Sequence, residues 1–256
     1  MSNKESLASL KMFLFSFHGA NTVLVTFLPL FLQFKGLTGS QIGLVMAIGP
    51  MASIISQPFW GYMSDKYQTV KRILVICLIA VIIISNLFFQ METFALLMVV
   101  GALFYFFAVP IGGLGDSLTQ RKTALLGKSF GTTRMWGSIG FATSSLLVGE
   151  LLDVIGVQYM GWPYLFFAVM ALIVAFVIKD IKVDTMPIQL KDIKKLLLNK
   201  PLLIFLILIM FLTITHRAND SFMAIYIAQL GGSEGLIGIA WFVGVASEAL
   251  VFAFAG

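Results

Sequence analysis

Residues Gly61–Arg72 read GYMSDKYQTVKR. Asp65, Lys66, Lys71 and Arg72 fall inside this short stretch, in a chain of which only 11% of residues are charged. Long apolar runs flank it on both sides. Charge concentrated between two such runs reads as a tight turn at a membrane surface.

The rest of the chain agrees with that reading. It is 59% hydrophobic with a mean hydropathy of +0.97, whereas a soluble domain is nearer half apolar and a quarter charged. A helix of about 18 or more nearly uncharged residues crosses a ~30 Å hydrocarbon layer at ~1.5 Å per residue. Eight runs qualify: roughly 11–33, 40–62, 73–91, 94–116, 134–152, 162–178, 202–228 and 235–255. The expected fold class is an all-α integral membrane protein. The first run is too long for the core of a signal peptide and no small-residue cleavage site closes it, so it is expected to remain as a span. Cys77, the only cysteine, lies inside the apolar run ILVICLIAV. That excludes an intrachain disulfide and argues against a catalytic thiol.

The net charge of +5 is informative by position. With a cytoplasmic N-terminus, 15 of the 17 lysines and arginines fall in cytoplasmic segments; Lys35 lies outside and Arg217 within a span. This is the positive-inside pattern, and it predicts a cytoplasmic N-terminus and a cytoplasmic segment at Lys179–Lys200. The basic charge then reports topology and anionic lipid, not nucleic acid, since no basic patch is interleaved with exposed aromatics. An enzyme is disfavoured: the two histidines, His18 and His216, lie in different spans and form no H-x-x-x-H metal pair. A channel would need a filter-like loop or a charged ring, and none is visible.

The turn itself carries a resemblance. SQPFWGYMSDKY (Ser56–Tyr67) followed by Lys71 and Arg72 resembles the signature loop G-x-x-x-D-[RK]-x-G-x-[RK]-[RK] of the major facilitator superfamily. Gly61, Asp65, Lys66 and Lys71 match; Gln68 stands where the motif has a turn glycine, and Val70 where it has a basic residue. FLPLFLQFKGLTGSQIGLVMAIGP (Phe27–Pro50) is similar to the first hairpin of these carriers, and FGTTRMWGSIGFATSSLLVG (Phe130–Gly149) to the fifth span of the lactose-permease and phenylpropionate-permease branch. WFVGVASEALVFAF (Trp241–Phe254) resembles the eighth span of phenylpropionate-permease-like members.

The resemblance implies a proton-coupled permease working by alternating access, with about twelve spans in two halves and a substrate site between them. It implies that Gly61 lets two helices approach, while Asp65 and the basic residues Lys66, Lys71 and Arg72 latch the cytoplasmic ends of the bundle. On this pattern residues 1–178 form a six-helix bundle, and 179–201 a cytoplasmic linker whose IQLKDIKKLLL has the periodicity of an amphipathic surface helix. Residues 202–256 form the first two helices of an incomplete second bundle. The last run ends ALVFAFAG without a charged flank, so a truncated, non-transporting membrane protein is the alternative expectation.

Polar residues inside spans cost several kcal/mol unless paired or hydrated, so they carry the functional reading. In the first span His18, Thr22, Thr26, Pro29 and Gln33 recur at helical intervals, forming either a helix contact or a cavity face. In AVPIGGLGDSLTQRK, hydropathy alone leaves Asp116 in the loop beside Arg121 and Lys122, with Arg134 as an anchor opening the fifth span. The resemblance instead makes Asp116 and Arg134 a substrate-recognition pair, provided the fourth span continues as helix to about Gln120. Trp136 joins them as a candidate binding residue, with His18 and Thr22. Glu150 and Asp153 read as solvated at the outer surface. In THRANDSF, Asp220 lies four residues from His216 and three from Arg217, so it can meet either on a helix. Asp220, His216, Arg217 and Glu248 are the candidate proton-coupling residues. Expected partners are a small organic solute (a sugar or oligosaccharide, an aromatic acid or a nucleoside), the lipid bilayer and H+ as coupling ion. No cofactor and no metal are expected, in a monomer of the plasma membrane.

Overall fold

The computed structural model describes residues 7–181 and 198–255, with side chains described as far as Ser247. Among the described residues the regular structure is helix, without a strand. Span 1 covers Ala8–Phe34, span 2 Gly39–Lys66, span 3 Val70–Gln90, span 4 Phe94–Leu125 and span 5 Phe130–Ile155. Span 6 runs over Gly161–Val177 after a 3-10 turn at Val157–Tyr159, span 7 over Lys200–Gln229 and span 8 over Glu234–Ala255. Spans 1 to 7 are each long and apolar enough to cross a membrane. Span 8 has 22 residues, about 33 Å at ~1.5 Å per residue. The chain is a multi-pass membrane protein.

Side chains decide where the helices begin. Thr38, Thr69, Thr93, Ser129 and Asn199 each accept a hydrogen bond from a backbone N–H of the first turn that follows. At Thr38 the Gln41 side chain answers back, closing a capping box. These caps satisfy donors that a helix start leaves orphaned.

Several helices outrun the apolar runs that predicted them. Span 2 continues to Lys66, span 4 to Leu125, and span 5 begins at Phe130. Hydropathy marks the hydrocarbon layer; backbone hydrogen bonding continues into polar ends until a cap or a turn stops it.

Span 1 is not one regular helix. Val23–Phe27 is π-helical, and Pro29 sits in the first turn of the helix Leu28–Phe34 that follows. Proline has no N–H for the carbonyl four residues back and its ring crowds that carbonyl, so a locally widened turn relieves both.

Span 1 packs on spans 5 and 6, span 4 on spans 2 and 3, and span 3 also on span 6. Phe13, Phe27, Phe31, Phe88 and Phe104 are fully buried among them, and Phe88 stacks on Phe104 with ring centroids 5.6 Å apart. Span 8 lies along span 5, while span 7 packs chiefly on the second half of span 1 and on span 8 among the described residues. In the turn after span 1, Lys35 Nζ lies 5.0 Å from the Phe31 ring centroid. Partial burial holds its ammonium below the usual lysine range, and Glu92 pulls it back up. The linker helix expected within 179–201 falls largely on 182–197, outside the described residues.

Candidate functional site

Helix runs unbroken through Pro110 and past Asp116. The hydropathy placement of Asp116 in a loop is therefore corrected: the acid lies inside span 4, on the bundle side. There Arg134 Nε is 3.0 Å from Asp116 Oδ1. Oδ1 itself is buried, while the Asp116 side chain as a whole is 43% exposed and that of Arg134 only 16%. The pair thus combines a sunken guanidinium with a carboxylate partly open for a further partner, a geometry suited to directional charge-assisted hydrogen bonds.

Spans 1 and 5 complete the surroundings. His18 and the Arg134 guanidinium both pass over the face of Gly137, and the imidazole stands edge-on to Phe17 at 5.1 Å. Lys11 Nζ lies 5.6 Å from the Trp136 ring centroid. Lys11, His18, Asp116, Arg134 and Trp136 therefore gather at the end of the bundle where the first span begins.

Thr22, expected among the binding residues, does not belong with them. It is fully buried, and its hydroxyl donates to the His18 carbonyl at 2.8 Å and the Phe141 carbonyl at 3.2 Å. It serves the contact between spans 1 and 5. Thr26 is equally buried, so within one turn beyond His18 the polar stripe of span 1 serves helix contact.

In span 7 the expected cluster forms. Asp220 Oδ2 lies 3.6 Å from both His216 Nε2 and Arg217 Nη1. The Asp220 side chain is 9% exposed, against 71% for His216 and 65% for Arg217. The side chain of Glu248, the fourth candidate coupling residue, lies outside the described residues.

The turn at Gly61–Arg72 is built differently from the motif it resembles. Gln68, standing for the turn glycine, adopts φ +51°, the left-handed conformation that glycine takes without strain. A side chain on Gly61 would meet nothing within 4 Å, so among the described residues no second helix approaches it. Lys66 Nζ sits 5.6 Å from the Tyr67 ring centroid. Lys71 makes the longer reach: its Nζ donates to the Phe176 carbonyl at 2.7 Å, at the end of span 6.

Two acids escaped the sequence reading. Asp180 accepts from the Thr69 hydroxyl and from the Lys71 backbone N–H, so the segment after span 6 caps span 3 while Lys71 caps span 6. Asp153 was expected to be merely solvated. It is exposed, yet the Gly235 and Glu234 backbone N–H groups and the Ser233 hydroxyl donate to it, tying span 5 to the start of span 8. Neither contact has a sequence signature, because donors and acceptor are about 80 to 110 residues apart and only the fold joins them. GGSEG (Gly231–Gly235) has the spacing of a nucleophile elbow but links two helices, and Ser233 Oγ accepts from the Leu236 N–H as a cap.

The model of the MFS_1 like family matches residues 7–256. The chain is 30% identical over 251 residues to the uncharacterized transporter YwbF of Bacillus subtilis, covering 97% of this chain and 63% of that protein. It is 26% identical over 245 residues to the maltose permease of Geobacillus stearothermophilus, covering 93% and 61%. Among solved structures it is similar to the nucleoside transporter NupG, with a TM-score of 0.73 at 20% identity, covering 86% of this chain and 57% of that one. The chain thus spans less than two thirds of the length of these relatives.

Proposed function

This chain belongs to the MFS_1 like family, and on that premise we propose that it belongs to a secondary active transporter that carries a small organic solute across the plasma membrane by alternating access. Asp116 and Arg134 are the polar core of the substrate site, with His18, Trp136 and Lys11 around it. The observation that carries this reading is the ion pair itself. Two charges sit inside membrane spans, one sunken and one partly open, at a cost that structure alone does not require. The solute is a sugar or oligosaccharide, an aromatic acid or a nucleoside; each offers hydroxyls or a carboxylate to such a pair. The relatives include a maltose permease and a nucleoside transporter, which supports that range.

Coupling is to protons, and no cofactor takes part. Asp220 is the carboxylate placed to exchange one, because His216 and Arg217 stand within ion-pair range on its own helix and a competing acid can draw the arginine away. Glu248 is that competing acid. The N-terminus faces the cytoplasm on this reading, which the distribution of Lys and Arg supports.

A second reading rests on one observation: His216 and Arg217 are mostly exposed, with no helix over them among the described residues. On that reading the 256 residues insert into the membrane but do not transport.

Vesicles containing the protein, given an inward proton gradient and labelled maltose, sucrose, uridine or 3-phenylpropionate, test the proposal. At least one solute is expected to accumulate, and a protonophore to abolish accumulation. Asp220→Asn and Glu248→Gln are expected to end uphill uptake while sparing exchange. Uphill uptake surviving in both variants contradicts the coupling assignment. Vesicles that bind a solute without taking it up favour the second reading.

A further inference from the structure

The glycines of span 5 that face span 1 are not equivalent. A side chain on Gly140 would run into the Phe15 backbone carbonyl. That glycine lets two helix backbones touch, the ordinary use of small residues in a membrane bundle. Across the same contact, a side chain on Gly19 would meet the Phe167 ring and Ser144 Oγ at 2.7 Å. At Gly137, one turn toward the start of span 5, the nearest atoms of other residues are side-chain atoms. A Cβ there would lie 2.5 Å from Arg134 Nη1, 2.5 Å from His18 Cδ2 and 3.0 Å from His18 Nε2. All three atoms belong to side chains of the candidate binding site.

We propose that Gly137 is a positioning residue: its bare face is the slot in which the His18 imidazole and the Arg134 guanidinium pass each other, and this slot holds Arg134 against Asp116. The inference rests on reading Asp116 and Arg134 as the substrate site, but its geometry does not depend on the solute.

The helix period explains the arrangement. Arg134 and Gly137 are three residues apart on one helix, so the arginine lies along its own helix across the face of the glycine. His18 enters the same space from span 1. It cannot retreat far, since Phe17 stands against it at 5.1 Å, while its neighbour turns hold the close contacts at Gly140 and Gly19. The guanidinium is the free end of a flexible chain, so a methyl group at position 137 displaces it first. Its Nε would then leave Asp116 Oδ1, now 3.0 Å away, while the helices stay where Gly140 lets them lie.

The test compares thermal unfolding of the whole chain in detergent. Arg134→Ala strips Asp116 of its partner, so it is expected to lower Tm clearly in the parent. In the Gly137→Ala background the pair is already broken, and the same substitution is expected to lower Tm by less than half as much. Adding His18→Ala reopens the slot and is expected to restore the full Arg134 effect. An equal Arg134→Ala shift with and without Gly137→Ala overturns the proposal. Should Gly137→Ala fail to fold, Gly137→Ala/His18→Ala must fold; if it does not, the glycine serves helix packing and the proposal falls. Binding is read in parallel with maltose, sucrose, uridine and 3-phenylpropionate. Undiminished binding by Arg134→Ala sinks the site reading alone, and the Tm comparison still decides the role of Gly137.

Discussion

At the scale of single residues, the same polar side chain serves opposite ends depending on one turn of helix. His18 faces the Arg134 guanidinium, while Thr22, four residues on, is fully buried with its hydroxyl on two backbone carbonyls. Thr22→Val keeps the shape and removes one hydrogen bond whose acceptors are main-chain carbonyls. It is expected to cost about 1 kcal/mol of stability and to leave solute binding unchanged, measured as Tm and ligand-induced Tm shift. Weakened binding with unchanged Tm would return Thr22 to the cavity. The sequence showed that span 1 carries a polar stripe, but periodicity assigns a face and not what that face meets. Asp116 teaches the same lesson: hydropathy sees an acid beside Arg121 and Lys122 and ends the span, because it averages charge over a window and knows nothing of a partner eighteen residues away across a turn.

At the scale of elements, the ends of spans 3 and 6 hold each other. Thr69 caps span 3 and its hydroxyl donates to Asp180, which also accepts from the Lys71 N–H; Lys71 Nζ returns a bond to the Phe176 carbonyl. The signature turn is thus anchored to the point where the chain leaves span 6. Asp180→Ala and Thr69→Ala are each expected to cost about 1 kcal/mol. Because both remove one network, the double variant should cost less than the two combined. Strict additivity in thermal unfolding would show that the two caps act independently. Lys71 was legible in the sequence as a basic residue of a turn; Asp180 was not, since nothing local marks an acid that caps a distant helix. The π turn at Val23–Phe27 was hidden as well, although Pro29, its physical cause, was in plain view. A proline announces a disturbed helix without saying whether the helix will kink, break or widen.

At the scale of the whole molecule, the eight spans were readable because membrane burial demands long apolar runs, and the family because the signature turn and stretches of the first hairpin, fifth and eighth spans resemble it. Span order, class and the clustering of Asp220 with His216 and Arg217 follow from such local rules. The packing of span 8 along span 5 does not. There Gly149 and Gly238 approach so closely that a Cβ on Gly149 would be 3.2 Å from the Gly238 Cα, and Phe141 meets Trp241 at 5.5 Å. That contact joins the first six spans to the last two, and it starts a few turns along span 5 from Arg134. A solute held by Asp116 and Arg134 would therefore lie beside the helix pair across which the two parts of the molecule meet, where binding can bias their relative position.

That account stands or falls on Arg134. The direct measurement is solute binding to the protein and to Arg134→Lys and Arg134→Ala, by ligand-induced thermal shift with maltose, sucrose, uridine and 3-phenylpropionate. The pair uses Nε of a planar fork that lysine cannot reproduce. Both variants are therefore expected to bind the preferred solute at least about tenfold more weakly than the parent. Parent-like binding by Arg134→Lys would contradict the account, leaving Arg134 a membrane-surface anchor and the solute site elsewhere.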